Sequence, residues 1–289
     1  MRLEAYAKIN WALGIVGRRD DGYHLLDMLM QRVSLRDTLY IEACDELSLT
    51  VPGSHLPSDE RNLVTRAALL LRETYGVTNG ARLRLIKRIP ERAGLGGGSA
   101  DAASALLGLA RLWGLDCRVD HLAKLALLLG ADVPYCLAGG LARVRGIGEQ
   151  VELIPGAARW PLVIVKPCEG LSAREVYEAY SNHSGTLGAS ESSGLSRLDI
   201  PAIAYHLTRG DFESLRREAR NALQAAAISL RPEITRAIKC VERLGASFVT
   251  MSGSGAAVFG VFENDSAAQT AFEALKTSYS ECFLAHTMA

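Results

Sequence analysis

Ala93-Gly94-Leu95-Gly96-Gly97-Gly98-Ser99-Ala100-Asp101-Ala102-Ala103 is the stretch on which the reading of the whole chain turns. Four glycines fall within the five positions from Gly94 to Gly98. Glycine loses the most backbone freedom on folding, so such a run is costly to order and belongs where a backbone must approach something closely. A strand pattern over Ala81 to Lys87 precedes it, and an alanine-rich helical pattern from Ser99 to Leu112 follows. A glycine loop feeding a helix N-terminus offers unpaired N–H groups and the positive end of the helix dipole, which suits a phosphate. A tight turn under close helix–strand packing explains the same glycines. No Gly-Lys-Ser/Thr closes the run, so it is not a P-loop. Gly94, Gly96 and Gly98 give G-x-G-x-G, not the G-x-G-x-x-G of a dinucleotide fingerprint. Ser99 is the expected N-cap, with a phosphate or its metal as a second role. Lys87 either reaches the same nucleotide or is an exposed lysine at a strand end.

Upstream of the loop, residues 3 to 16 read as a strand, and Asp20-Asp21-Gly22 as a hairpin turn. Two strands are expected around Met28 to Leu35 and Leu39 to Val51. Asn62 is placed to cap a helix that runs to Tyr75 and stops at Gly76. Downstream, Asp120 is the expected cap of a helix over Leu122 to Leu129, stopped by Gly130. Asp132 then stands between a helix stop and an apolar strand, where it is either a catalytic carboxylate or a turn residue. Pro155 to Pro161 reads as a boundary between two halves. A strand at Leu162 to Val165 follows, then an exposed Ser/Gly-rich loop from Ser181 to Ser196 and helical patterns over 200 to 244. Strands at Ala246 to Met251 and Ala256 to Phe262 flank a Gly-Ser-Gly turn, and a helix near Ser266 to Thr277 ends the pattern. Strands and helices mix without strict alternation, which favours α+β over a doubly wound parallel sheet.

The composition is that of a folded globular chain. Of 289 residues, 48% are hydrophobic and 22% charged, which argues against wholesale disorder and suits roughly two domains. The 32 basic residues balance the 32 acidic ones, so no net field steers the chain to a nucleic acid or an anionic membrane. Six cysteines stand well apart, with none of the pair spacing of a zinc site. They are expected to be reduced and mostly buried in a cytoplasmic protein. The apolar segment from Leu122 to Leu141 is broken by Lys124, Asp132 and Pro134, so it reads as core and not as a membrane span.

Three further groups carry chemistry. Lys8 and Asn10 alternate on an early strand and so share a face; Lys8 is a charge in an apolar setting, either catalytic or snorkelling. Tyr23-His24 after the Asp-Gly turn is either a surface pair or a stacking platform. Met251-Ser252-Gly253-Ser254-Gly255 is either a plain hairpin turn or a second anion-binding backbone.

These blocks stand in an order that resembles the GHMP small-molecule kinases: Ala7-Lys8-Ile9-Asn10, Asp21-Gly22-Tyr23-His24, Gly94 to Ala103, Gly130-Ala131-Asp132-Val133-Pro134 and Ser252-Gly253-Ser254-Gly255. The Asp-Gly-Tyr-His and Gly-Ala-Asp-Val-Pro blocks point to the member that acts on a cytidine-diphosphate-linked methylerythritol. The resemblance implies a two-domain α+β fold. Residues 1–155 would form a half like ribosomal protein S5 domain 2, residues 156–289 a ferredoxin-like half, with the active site in the cleft. It implies transfer of the ATP γ-phosphoryl group to a tertiary 2-hydroxyl, in isoprenoid precursor synthesis outside the mevalonate route. By the same resemblance Asp132 is the general base and Lys8 its partner. Gly94, Leu95, Gly96, Gly97, Gly98 and Ser99 hold the ATP phosphates, with Lys87 near the nucleotide. Asn10, Tyr23, His24 and Tyr177 lie on the cytidine side. Mg²⁺ is expected with ATP, its protein ligands unassigned. The implied protein is a cytoplasmic monomer or homodimer with no nucleic-acid or membrane partner. Two departures stand out: Glu91-Arg92-Ala93 replaces smaller, glycine-rich residues, and Asn221-Ala222-Leu223-Gln224 replaces Asn-Asp-Leu-Glu, so Asn221 receives no role.

Overall fold

The structure, a computed structural model, describes residues 1–116, 119–186 and 198–289. Contacts divide it into two compact units, each built from separated stretches of chain. Met1–Ala7, Leu35–Ile89 and Gly96–Gly139 form the first; Lys8–Ser34, Pro90–Leu95 and Gly140–Ala289 form the second. Strands β1 (Arg2–Arg18) and β2 (His24–Cys44) contribute residues to both and pair with each other.

In the first unit, β4 (Gly80–Ile86) lies between β3 (Leu47–Thr50), which it meets in parallel, and the C-terminal part of β2, which it meets antiparallel from Thr38↔Ile86 to Cys44↔Gly80. Leu39, Ile41, Leu83 and Leu85 supply one layer of the core. Helices α1 (Leu63–Tyr75), α2 (Gly97–Leu112), α3 (Val119–Leu129) and α4 (Val133–Ala138) supply the other. Alanines at 100, 102, 103 and 105 keep α2 slim, and both its faces are buried. Gly108 extends this: a Cβ there would stand 2.4 Å from Ile41 Cδ1 and 2.8 Å from Leu3 Cδ1, so the absent side chain sets how closely α2 approaches. Helix α1 keeps the ends its sequence announces. Asn62 accepts a hydrogen bond from Val64 N, and Gly76 closes it at φ 65°.

In the second unit, the N-terminal part of β2 pairs antiparallel with β5 (Leu141–Gly146), and β5 with β6 (Gln150–Leu153). A second, antiparallel sheet has the order β10 (Glu281–His286), β7 (Pro161–Lys166), β9 (Val258–Val261), β8 (Phe248–Met251). Helix α9 (Glu233–Arg243) buries Ile234, Ala237 and Val241, a three- and four-residue spacing that makes one stripe. Val241 joins Ala268, Ala271 and Leu275 of α10 (Asp265–Leu275) over Val163 and Val165 of β7. Residues Ala7 to Ile15 of β1 are buried without a break, the pattern of a strand covered on both faces. Trp11 is fully buried there; its Nε1 donates to Gln31 Oε1 at 2.9 Å, which removes the cost of an unpaired indole N–H. The unit is completed by α5 (Ala173–Thr186), α6 (Ile200–Arg209), α7 (Phe212–Glu218) and α8 (Gln224–Leu230).

The mixed α+β class follows the expectation, and several elements differ. The two strands expected between Met28 and Val51 are instead one long β2 ending at Cys44 and a short β3. The strand expected after Asp132 is helix α4, which Pro134 starts well because its ring presets a helical φ and its missing N–H is not needed there. Helix α3 begins at Val119, so Asp120 lies inside it and is not its cap. Helix α5 runs through the start of the expected Ser181–Ser196 loop; residues 187–196 lie outside the described residues. Among the described cysteines, Cys44, Cys136, Cys168, Cys240 and Cys282 are free thiols, half-buried and not mostly buried as expected.

Candidate active site

The first half of the glycine loop is stitched down by backbone. Lys8 N donates to Leu95 O at 2.9 Å, Ala257 N to Ala93 O at 3.0 Å, and Ser252 Oγ to Gly94 O at 2.9 Å. Gly94, at φ 74°, lies against the turn between β8 and β9 so closely that a Cβ would stand 2.0 Å from Ser252 O. That turn is held in its own right: Asn221 Nδ2 donates to both Met251 O and Gly253 O at 2.8 Å. The Met251–Gly255 turn thus serves as a seat for the glycine loop, and Asn221, given no role from sequence, is its fastener.

Gly96, at φ 67°, is the N-cap of α2, so the helix begins at Gly97. Ser99 is therefore the third helical residue and not the cap expected of it, because the left-handed glycine turns the chain earlier than the serine could. No side chain caps this helix and no acidic residue occupies its first turn. The first N–H groups of a helix have no partner within it, and here no carboxylate competes for them. The segment Gly96 to Ser99 has the donors and the field for an anion.

Lys87, just past β4, is not an exposed strand-end lysine. Its Nζ donates to Asp101 Oδ2 of α2 at 2.6 Å and to Asp37 Oδ2 of β2. Asp37 also accepts from the backbone N–H of Arg88 and of Ile89, the latter at 2.8 Å. Burial works against the Lys87 charge, but Asp101 and Asp37 outweigh it and hold its pKa above the ordinary value. Burial pushes the Asp101 carboxyl up; Lys87 opposes this and Asp37 reinforces it.

Asp132, in the same unit, holds the N-cap position of α4 at φ −84°, half-buried, without a side-chain cap bond. Lys8, Asn10, Tyr23, His24 and Tyr177 all belong to the second unit. Lys8 is buried at 4% exposure and its Nζ donates to Asn10 Oδ1 at 2.7 Å, as their shared strand face requires. Asn10 N donates to Ser252 Oγ at 3.3 Å, so one serine hydroxyl joins this pair to the glycine loop. His24 stacks on Tyr177 with ring centroids 5.0 Å apart and planes 20° from parallel; Tyr180 meets it edge-on. Burial, then the charge of Arg18, lowers the His24 pKa, so the stacked ring is neutral near pH 7. Tyr23 beside it is 62% exposed, an aromatic face presented to solvent. Among the described residues no group of three His, Cys, Asp or Glu side chains could hold a metal, and no helix is long and apolar enough to cross a membrane.

Comparison with known proteins matches residues 62–140 to the family described as GHMP kinases N terminal domain and 203–281 to GHMP kinases C terminal. The chain belongs to the GHMP kinases. The 4-diphosphocytidyl-2-C-methyl-D-erythritol kinase of Clostridium novyi is 38% identical to it, with 100% of both chains covered. A crystal structure of a 4-(cytidine 5'-diphospho)-2C-methyl-D-erythritol kinase has a TM-score of 0.82 at 36% identity, again over 100% of both chains. The homoserine kinase of Cytophaga hutchinsonii, 20% identical over 100% of this chain and 95% of that one, shares the fold at a TM-score of 0.74.

In this GHMP kinase, sequence reasoning missed Asp37, Asp101 and Asn221. Asp101 carried a signal: it is a carboxylate among alanines, and a charge so placed needs a buried partner; Asp37, in the polar Arg36-Asp37-Thr38, carried none. Asn221 carried none, since its partners are backbone carbonyls thirty residues away.

Proposed function

We propose that this GHMP kinase transfers the γ-phosphoryl group of ATP to the tertiary 2-hydroxyl of 4-diphosphocytidyl-2-C-methyl-D-erythritol, a step in isoprenoid precursor synthesis. The observation that carries the phosphate half of this reading is the uncapped start of α2 behind a glycine loop whose first half is fixed by Lys8 N, Ser252 and Ala257. The acceptor half rests on relatives that match over their full length and on the aromatic group of Tyr23, His24 and Tyr177.

Phosphoryl transfer calls for positioning and charge stabilisation more than covalent help. Gly94 to Ser99 supply backbone donors for the phosphates, and the α2 dipole favours their charge. Asp132 takes the proton of the acceptor hydroxyl, a role worth roughly 10²–10⁴-fold in rate. Lys8 is assigned as the partner of that base. Mg²⁺ would accompany ATP and neutralise phosphate charge there. Asn10, His24 and Tyr177 orient the cytidine portion, with Tyr23 offering a second ring. The halves 1–155 and 156–289 each contain one of the two family matches, which supports dividing the sequence there. A cytoplasmic monomer or homodimer, without nucleic-acid or membrane partner, completes the proposal.

The test is ADP release with Mg-ATP and 4-diphosphocytidyl-2-C-methyl-D-erythritol, beside homoserine and mevalonate, for the wild type and Asp132→Asn. Turnover with the cytidine substrate alone, and a fall in kcat of roughly 10²–10⁴ in the variant, is expected. Turnover with homoserine or mevalonate instead would overturn the acceptor.

A further inference from the structure

We propose that Asp37 and Asp101 are positioning residues that fix Lys87 beneath the first turn of α2, so that Lys87 serves the nucleotide by shaping the phosphate loop and not by touching it. The inference rests on the reading of that loop as the ATP site.

Its first support is where the ammonium stands. A Cβ built on Gly97 would lie 3.5 Å from Lys87 Nζ, so the charge sits directly beside the first residue of the helix that faces the phosphates. The second is its occupation. Two of the three N–H donors of Lys87 are committed to Asp37 and Asp101, and its side chain is only 11% exposed. The third is what the carboxylates hold besides Lys87. Asp37 accepts the amides of Arg88 and Ile89, the two residues that lead into Pro90 and the loop. Asp101 stands four residues after Gly97, one helical turn along the same face. The cluster therefore ties the exit of β4, the middle of β2 and the first turn of α2 to a single ammonium.

Stability alone does not account for it. Two carboxylates are buried against one ammonium, and Asp101 Oδ1 is buried with no hydrogen-bond partner. Apolar residues often replace such clusters at no loss of stability, whereas they cannot supply a fixed geometry. A phosphate loop needs that geometry, because its donors act only when already aimed.

The experiment measures Mg-ATP affinity by calorimetry without acceptor, and KM and kcat for both substrates. It uses wild type, Asp101→Asn, Lys87→Met and the double variant, with a thermal melt of each to establish folding. Each single change is expected to weaken Mg-ATP binding about tenfold, to raise KM for ATP in step, and to leave KM for the acceptor unchanged. The double variant is expected to bind no worse than Lys87→Met, since both changes disable one device. Should Lys87→Met alone fail to fold, the double variant, which removes one of the two stranded carboxylate charges, is compared with Asp101→Asn in its place. Equal binding by these two supports the proposal. A tenfold further loss in the double variant would overturn it in favour of direct contact by Lys87. Variants that melt earlier yet bind Mg-ATP like wild type would overturn it in favour of a structural role only. A wild type that does not bind Mg-ATP would overturn the nucleotide reading itself, and the proposal with it.

Discussion

Arg92 holds a left-handed backbone, φ 48°, the one positive value at a non-glycine among the described residues. Its carbonyl accepts from Leu171 N at 3.1 Å, and a Cβ on Gly170 would stand 2.3 Å from its own Cβ, so the conformation is enforced by close packing. Strain of this kind costs of order 1–3 kcal/mol, part of which glycine would relieve against its larger unfolded entropy. Arg92→Gly is expected to raise the melting temperature slightly, by about 0.5–1 kcal/mol in stability, and Gly170→Ala to lower it. Asp101 gives a pH signature. Burial raises its pKa to about 7, above the ordinary carboxylate value it has when unfolded. Between those values the folded state binds more protons than the unfolded chain, so this residue's contribution to stability falls as pH rises. Of the charged neighbours, Lys87 opposes this shift and Asp37 adds to it. Urea midpoints at pH 5 and pH 8 should differ more in wild type than in Asp101→Asn; an equal difference in both would refute the assignment. Both residues were visible in the sequence, Arg92 as an intruder among small residues and Asp101 as a charge among alanines. Neither backbone angle nor burial could be read from them, because each is imposed by a distant segment.

At the level of elements, local chemistry was legible where it acted alone. Asn62 and Gly76 bound α1 as expected, and loss of the cap in Asn62→Ala should cost about 1 kcal/mol in a denaturant melt. Arg36-Asp37-Thr38 looked like a break between strands because it is polar. The strand continues because Asp37 finds Lys87 and two backbone amides across β4, partners no local pattern reveals. Strands β5 and β6 went unread because they are short, polar on alternate positions and joined through glycines. Strand β10 went unread because its partner β7 lies more than a hundred residues upstream. Gly108 shows the packing limit of α2. Gly108→Ala places a methyl against Ile41 and Leu3 and is expected to cost about 1–3 kcal/mol, less if those side-chain ends shift. Of the candidate site, the order of the motifs was legible. The Asn221 fastening and the Ser252 hydroxyl shared by Asn10 and Gly94 were not, since both depend on folding having already occurred.

The whole molecule is assembled from a chain that revisits each unit. The second unit draws on Lys8–Ser34, then on Pro90–Leu95, and is finished only by residues up to Ala289. Leu13 exchanges backbone hydrogen bonds with Arg220 and Ala222, and β7 waits for β10 near the end of the chain. Such distant pairing predicts slow folding, as loop-closure entropy is spent before the contacts form. A fragment cut at residue 155 should lose the partners that Asn10 and Leu13 find in the C-terminal part of the sequence, and show weaker amide protection at those two residues in hydrogen exchange. The same interleaving has a consequence during biosynthesis. A ribosome releases the chain from its N-terminus at roughly 5–20 residues per second. Lys8 and Asn10 are made long before Ser252 and Gly253 beside them and the Asn221 that fastens that turn, which arrive roughly two hundred residues later. The nascent strand therefore spends about ten to forty seconds without those later neighbours. In the cell, the apolar run from Ala7 to Ile15 is a natural stretch for a chaperone to hold.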